Sequence, residues 1–443
     1  MTLASCGGSS GGNNPDLNAN PTPTTGTIAV LFTDRPTDEF SEIKLNVTEA
    51  ILIGGDNEQQ VLFQGSEPID LLDLTNYSEP IVFGEVNAGV YTKLRLIIDE
   101  LELVPADGSP SEFPKLPANG KIDLLDQDGF DILPGRTVII EIDIDANKSI
   151  KVTGAGNSGN IQFRPVVRVD IIDGGLPDKL ARIEGFVSEI PDDPAGRFVV
   201  CNAINVDNCI AVNSDETTSF FDMDGLDTDF AALMVDDPVV VIGRYAYSDG
   251  DSGDIELDAI IVEIGGNAVQ TKGNVVSEPA EGQFLLQKYD GTSVVVELQG
   301  GTRYFDMDGE LGPDSIVLGT DVEVEGVIAP KAADEDPDVL RAALAFVMAE
   351  QADQASGTIL DEPDADMRSF MLSQTEGNDI CVNVAEDAEI LLVNVSASEV
   401  MTGSFADLAM DQSVDLFGTA PDGAEGCFQA AEVIVEVVPE EGT

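Results

Sequence analysis

Apolar and polar residues alternate with a period of two along much of the chain. Ile43-Lys44-Leu45-Asn46-Val47 and Glu141-Ile142-Asp143-Ile144-Asp145 each give a strand one apolar and one wet face. Between residues 27 and 174, strand-like runs fall at 27–32, 42–53, 60–63, 69–72, 81–86, 92–101, 138–144, 150–153 and 161–172. Turn formers separate them, among them Gly54-Gly55-Asp56-Asn57 and Pro105-Ala106-Asp107-Gly108. That density of short strands predicts a β-sandwich. Gly174-Gly175-Leu176-Pro177-Asp178 marks its end.

The rest of the chain repeats itself. Three modules, 181–264, 269–349 and 355–437, each open on a strand with a central glycine: Gly185, Gly273 and Gly357. Each later has an apolar strand ending in glycine, at Gly243, Gly326 and Gly418. Phe221-Asp222-Met223-Asp224-Gly225 recurs as Phe305-Asp306-Met307-Asp308-Gly309. About five or six strands per module predict small closed barrels, OB-like, set in series. Residues 338–354 also fit a helical period through Val339, Leu340, Ala343, Leu344 and Val347; the repeat alignment favours a strand. The expected fold is therefore all-β, a sandwich followed by three OB-like barrel repeats.

The N-terminal stretch suggests an address. Leu3-Ala4-Ser5-Cys6 resembles the lipobox of bacterial lipoproteins, in which the cysteine receives lipid. Residues 7–26 are rich in Gly, Ser, Asn, Pro and Thr, so 1–26 reads as lipobox and flexible tether. The basic and apolar regions of a signal peptide would then lie upstream of Met1. The alternative for Cys6 is an ordinary thiol in a polar tail. Gly7 is not the aspartate that holds such proteins at the inner membrane, so the resemblance implies the outer membrane. No other apolar run reaches the roughly 18 residues of a membrane helix, which leaves lipid as the expected membrane attachment.

Four stretches of the sandwich region carry a family resemblance. They are Gly26-Thr27-Ile28-Ala29-Val30-Leu31-Phe32-Thr33-Asp34-Arg35-Pro36, Gly89-Val90-Tyr91-Thr92-Lys93-Leu94-Arg95-Leu96, Asp143-Ile144-Asp145-Ala146-Asn147-Lys148-Ser149-Ile150 and Phe163-Arg164-Pro165-Val166-Val167. In this order they resemble domain of unknown function 4382, a family of bacterial lipoproteins. The resemblance implies a prealbumin-like sandwich and no assigned activity. Asp34 reads as a turn-bonding side chain before Pro36 rather than a binding group. The repeats resemble domain of unknown function 5666, again without known chemistry.

Charge then narrows the partners. The chain has 83 acidic and 21 basic residues, a net charge of −62. Nucleic acid is a poor partner and none is expected, because phosphate binding needs Lys and Arg to release counterions. The acids read as a soluble coat or, in part, as calcium ligands. The repeated Asp222, Asp224, Asp306 and Asp308 are the best metal candidates, since Asp-x-Asp puts two carboxylates on one loop; the alternative is an acidic turn with Phe221, Phe305, Met223 and Met307 packed inward. Asp126-Gln127-Asp128-Gly129 and residues 249–254 read as further acidic turns. Histidine is absent, which excludes Ser-His-Asp and Cys-His catalysis and His-ligated zinc or haem.

Besides Cys6 there are Cys201, Cys209, Cys381 and Cys427. They predict two disulfides, with pairing inside each module expected, or four buried thiols. The resulting expectation is a non-catalytic surface or periplasmic lipoprotein, a spacer or binder of a glycan, peptide or envelope protein. A calcium-stabilised adhesion protein is the alternative, and a carboxylate-based hydrolase a more distant one. No cofactor is required by this reading.

Overall fold

The computed structural model describes residues 24–34, 40–55, 58–105, 109–144, 149–153, 160–163, 166–202, 208–248, 254–330, 338–348, 353–374, 379–394, 399–421 and 426–437. They form an all-β protein with short 3-10 turns. In the sandwich, one sheet runs Val167–Asp173, Thr137–Ile144, Thr25–Thr33 and Tyr77–Asn87 in spatial order, with its middle pair parallel. The facing sheet runs Gln59–Asp70, Phe40–Gly54, Gly89–Pro105 and Lys121–Ile132, antiparallel throughout. The inward faces, including Ile28, Val30, Phe32, Leu45, Leu94, Leu96, Ile140 and Ile142, make one core. Alternation in the sequence is alternation across the sheet: Ile43, Leu45 and Val47 are buried, and Lys44 between them is exposed.

Some boundaries differ from the sequence pattern. Residues 69–72 split between a strand end and the 3-10 turn Leu71–Leu74. Asp70 causes the break, because its Oδ1 accepts from the amides of Leu72 (3.1 Å) and Ile43 (3.0 Å). Residues 161–172 belong to two strands, Asn160–Phe163 and Val167–Asp173. Lys121–Ile132 carries no clean period, because acidic residues 126–129 interrupt it. They lie inside the strand at a register shift rather than in a turn between strands: Tyr91 pairs with Phe130 and Lys93 with Leu125, so four residues oppose Thr92.

Each of the three barrels has five strands. Barrel 1 uses Leu180–Glu189, Arg197–Cys201, Cys209–Asn213, Pro238–Tyr247 and Ile255–Ile264, with Ser219–Phe221 extending the third strand's path. Barrel 2 uses Ala268–Val275, Gln283–Lys288, Ser293–Asp306, Asp321–Ile328 and Val339–Val347. Barrel 3 uses Asp353–Ile359, Ser369–Gln374, Ile380–Asn394, Ser413–Thr419 and Phe428–Glu436. In every case the order is 1-2-3-5-4, with strand 4 closing onto strand 1 and strands 3 and 5 parallel. The segment with helical periodicity is strand 5 of barrel 2; its apolar run is buried by strands on both sides.

The repeated glycines close these barrels. A Cβ on Gly185, Gly273 or Gly357 would sit 2.3, 2.2 or 2.1 Å from a strand 2 carbonyl oxygen. One on Gly243, Gly326 or Gly418 would sit 2.3, 2.0 or 1.9 Å from a strand 5 carbonyl oxygen. No side chain fits at that separation, so the glycines mark the tight crossings.

The modules do not form an extended string. Barrel 1 covers the outer side of the sandwich, where Ala29, Leu31 and Ile139 join its core, and Leu180–Ala181 pair in parallel with Tyr77–Ser78. Barrels 1 and 2 then meet through corresponding outer faces. Phe221, Ile242 and Ile261 of barrel 1 cluster with Phe305, Leu344 and Phe346 of barrel 2. Barrel 3 turns the same face to the sandwich, where Leu391, Phe417 and Ile434 cover Val166.

Candidate functional site at the module junction

The repeated acidic motif is a hairpin tip. Asp222 Oδ1 accepts from the amides of Asp224 (2.9 Å) and Leu226 (3.0 Å); Asp306 Oδ1 accepts from those of Asp308 and Gly309, both at 2.9 Å. Phe221 and Phe305 are buried, but Met223 and Met307 are 63% and 56% exposed, which corrects the inward expectation for the methionines. The turn points its third residue away from the strand it caps. Copy one also bridges modules: the Asp224 carbonyl accepts from Arg341 (2.8 Å), and Asp227 accepts from the Gly301 amide (3.1 Å). Among the described residues, no three acids or cysteines converge as a metal-binding group. The corresponding hairpin of barrel 3 joins Ile380–Asn394 to Glu399–Thr402, and its tip, 395–398, lies outside the described residues.

Because each aspartate holds two turn amides, Asp222→Ala and Asp306→Ala should each lower stability by about 1–2 kcal/mol. Thermal melts should show the same loss in calcium chloride and in EDTA. A calcium-dependent rise present in wild type and absent in the variants would instead make the tips ion sites.

The cysteines pair within modules. Cys201–Cys209 joins register partners on strands 2 and 3 of barrel 1. The loop it closes grips the sandwich edge through Asn208, whose Oδ1 accepts from the Phe83 amide (2.8 Å) and whose Nδ2 donates to the Ile81 carbonyl (3.1 Å). Cys381–Cys427 ties strand 3 of barrel 3 to the start of strand 5. Cys6 and residues 249–253 lie outside the described residues. Asp34 is fully buried; its amide donates to Leu74 and its carbonyl accepts from Lys179 (3.0 Å). The expected turn beyond it, 35–39, is likewise outside the described residues.

The densest chemistry lies where sandwich, barrel 1 and barrel 2 meet. Strands 1 and 4 of barrel 2 pair Lys272 with Glu323 and Gln270 with Glu325. These outward positions are buried by the neighbouring modules, and both glutamates have no exposed surface. Glu325 accepts from Arg182 of barrel 1 (Nη2–Oε1 3.0 Å). Glu323 accepts from Asn76 of the sandwich (2.6 Å) and lies 3.5 Å from Lys272. Lys272 also reaches the Leu72 carbonyl and the Thr75 hydroxyl (3.3 Å). Burial pushes the Glu323 carboxyl up, against the pull of Lys272. Burial also drives Tyr77 well above its usual range, with Glu323 and Glu325 adding to the effect. Glu263 of barrel 1 completes the group. Burial and the nearby Glu325 push its carboxyl well up, and Arg182 only partly opposes them. A second junction holds barrel 3, where Arg168 bonds Glu389 (2.6 Å), Glu432 and Asp143 (3.3 Å).

Sequence reasoning missed these groups. Val322-Glu323-Val324-Glu325 reads as a strand with a solvated face, and nothing in it says that another module covers that face. The usable signal was scarcity. With only 21 basic residues, each strand cation invites the question of its partner, and Arg168, Lys179, Arg182 and Lys272 all sit at module contacts.

Residues 25–165 match the family described as Domain of unknown function (DUF4382). That span covers the sandwich except its last strand, Val167–Asp173. No curated protein matches the chain.

Proposed function

We propose that this is a non-catalytic lipoprotein of the bacterial envelope, whose sandwich and barrels act as one rigid binding or spacer ectodomain. The observation that carries this reading is the docking of every module through buried contacts, with strands 4 and 5 of each barrel, strand 1 of barrels 1 and 2 and the end of strand 3 of barrels 2 and 3 turned inward. In OB folds the outer side of strands 2 and 3 receives ligands. On barrel 2 that side offers half-buried Leu285 and Val295, with Val276 and Tyr289 exposed at its ends. Two disulfides suit an oxidising compartment. The acidic coat favours a neutral or basic partner: a glycan, a peptide or an envelope protein. The lipobox resemblance at Cys6 and the likeness of the barrels to domain of unknown function 5666 belong to the same reading.

The test is lipidation and address. The full chain, placed behind the basic and apolar regions of a signal peptide, should incorporate a clickable fatty acid and fractionate with the outer membrane. Cys6→Ser should abolish both. Label retained by Cys6→Ser, or wild type found wholly in the soluble fraction, would refute the anchor; turnover of a glycoside by the purified protein would refute the non-catalytic part.

A further inference from the structure

Glu263 is 2% exposed, and neither carboxyl oxygen has a hydrogen bond. Its strand neighbours in register, Phe221 and Val240, are apolar. With Ile261, two residues back, it faces the seam with barrel 2, whose strand 5 contributes Ala343, Leu344 and Phe346 there. The charged and titratable groups around it are few. Arg182 comes from strand 1 of its own barrel, Glu325 and Glu323 from strand 4 of barrel 2, Lys272 from strand 1 of barrel 2, and Tyr77 from the sandwich. Arg182 is already bonded to Glu325, and Lys272 to Glu323 and the Leu72 carbonyl. Three buried glutamates therefore share two cations, and Glu263 is the one with no donor. An ionised carboxylate there would be unsolvated, unbonded and beside a second carboxylate; the neutral acid avoids that charge.

We propose that Glu263 is a proton latch: it holds a proton while barrels 1 and 2 are docked, and it gives that proton to water when the seam opens and hydrates the carboxylate. The docked state then binds one more proton than the open state. Docking is fully stable below the ordinary glutamate value, about 4.3, and weakens as pH rises toward the raised docked value. Across that window the opening constant rises about tenfold per pH unit. Glu79, half-buried beside Arg182, and Asp73, near Lys272 and Glu323, are each pushed by burial to about 7 and titrate in the same range, so their shares must be separated.

The experiment is hydrogen exchange of the full chain, corrected for intrinsic rates, at about pH 5.5, 7 and 8.5. Peptides covering Ile255–Ile264 and Asp321–Ile328 report on the seam. Wild type should lose protection there with rising pH. Glu263→Gln, which mimics the neutral acid, should show a much shallower slope, leaving only what Glu323 contributes. Glu79→Gln and Asp73→Asn should keep the wild-type slope, and so should the exposed charge control Glu278→Gln. If Glu263→Gln fails to fold, Glu263→Leu serves in its place with the same expectation. A pH-independent wild-type seam, or a Gln or Leu variant that follows the wild-type slope, would overturn the latch.

Discussion

Arg182→Ala is expected to destabilise the protein by about 3–5 kcal/mol, the range for stranding one partner of a buried ion pair. Glu325 has no exposed surface, and Arg182 is its cationic hydrogen-bond donor, at 3.0 Å from Nη2. Without the guanidinium, Glu325 is left as a buried charge stripped of its cationic partner. Replacing both groups, as Arg182→Met with Glu325→Leu, should recover most of the loss, because an apolar pair of similar volume needs no compensation. Urea unfolding followed by a probe in barrel 2 measures both effects. A single-variant loss below about 1 kcal/mol would mean that water reaches the seam and the junction is not dry.

Removing Cys381–Cys427 should cost almost as much. The bridge closes a separation of 46 residues within one barrel, and loop-closure entropy assigns such a span about 4 kcal/mol. Cys201–Cys209 spans 8 residues, for which the same relation gives about 2.5 kcal/mol. Cys381→Ser with Cys427→Ser should thus detach barrel 3 as an early unfolding transition, while Cys201→Ser with Cys209→Ser mainly loosens the Asn208 contact to the sandwich. Denaturation with probes in barrels 1 and 3 distinguishes them. Equal losses from the two pairs would show that unfolded-state entropy is not what these bridges control.

The contrast between what the sequence revealed and what it hid follows from range. Period-two runs exposed the sandwich strands, because alternation is a local consequence of one buried face. The repeated glycines exposed the barrel crossings, since a Cβ at Gly326 would strike the Arg341 carbonyl oxygen at 2.0 Å. Strand Lys121–Ile132 stayed hidden because its register shift breaks the period. The hairpin tips were legible as acidic turns, yet not the outward methionines, whose direction depends on the turn's geometry. The junction was the least legible part. Glu323 and Glu325 alternate with valines as solvated glutamates do, Glu263 follows the apolar run Ile260-Ile261-Val262, and only the arrival of a second module makes them interior.

The shared docking face has a consequence for how many modules such a chain can hold. Barrels 1 and 2 satisfy each other, like two halves of a dimer written into one polypeptide. Barrel 3 is the odd member, and the sandwich stands in for its missing mate at Val166 and Arg168. Repeat number is therefore a matter of parity rather than length. A fourth copy spliced after barrel 3 would carry its own Leu, Phe and Ile face with nothing left in the chain to cover it, and would seek that cover on another molecule.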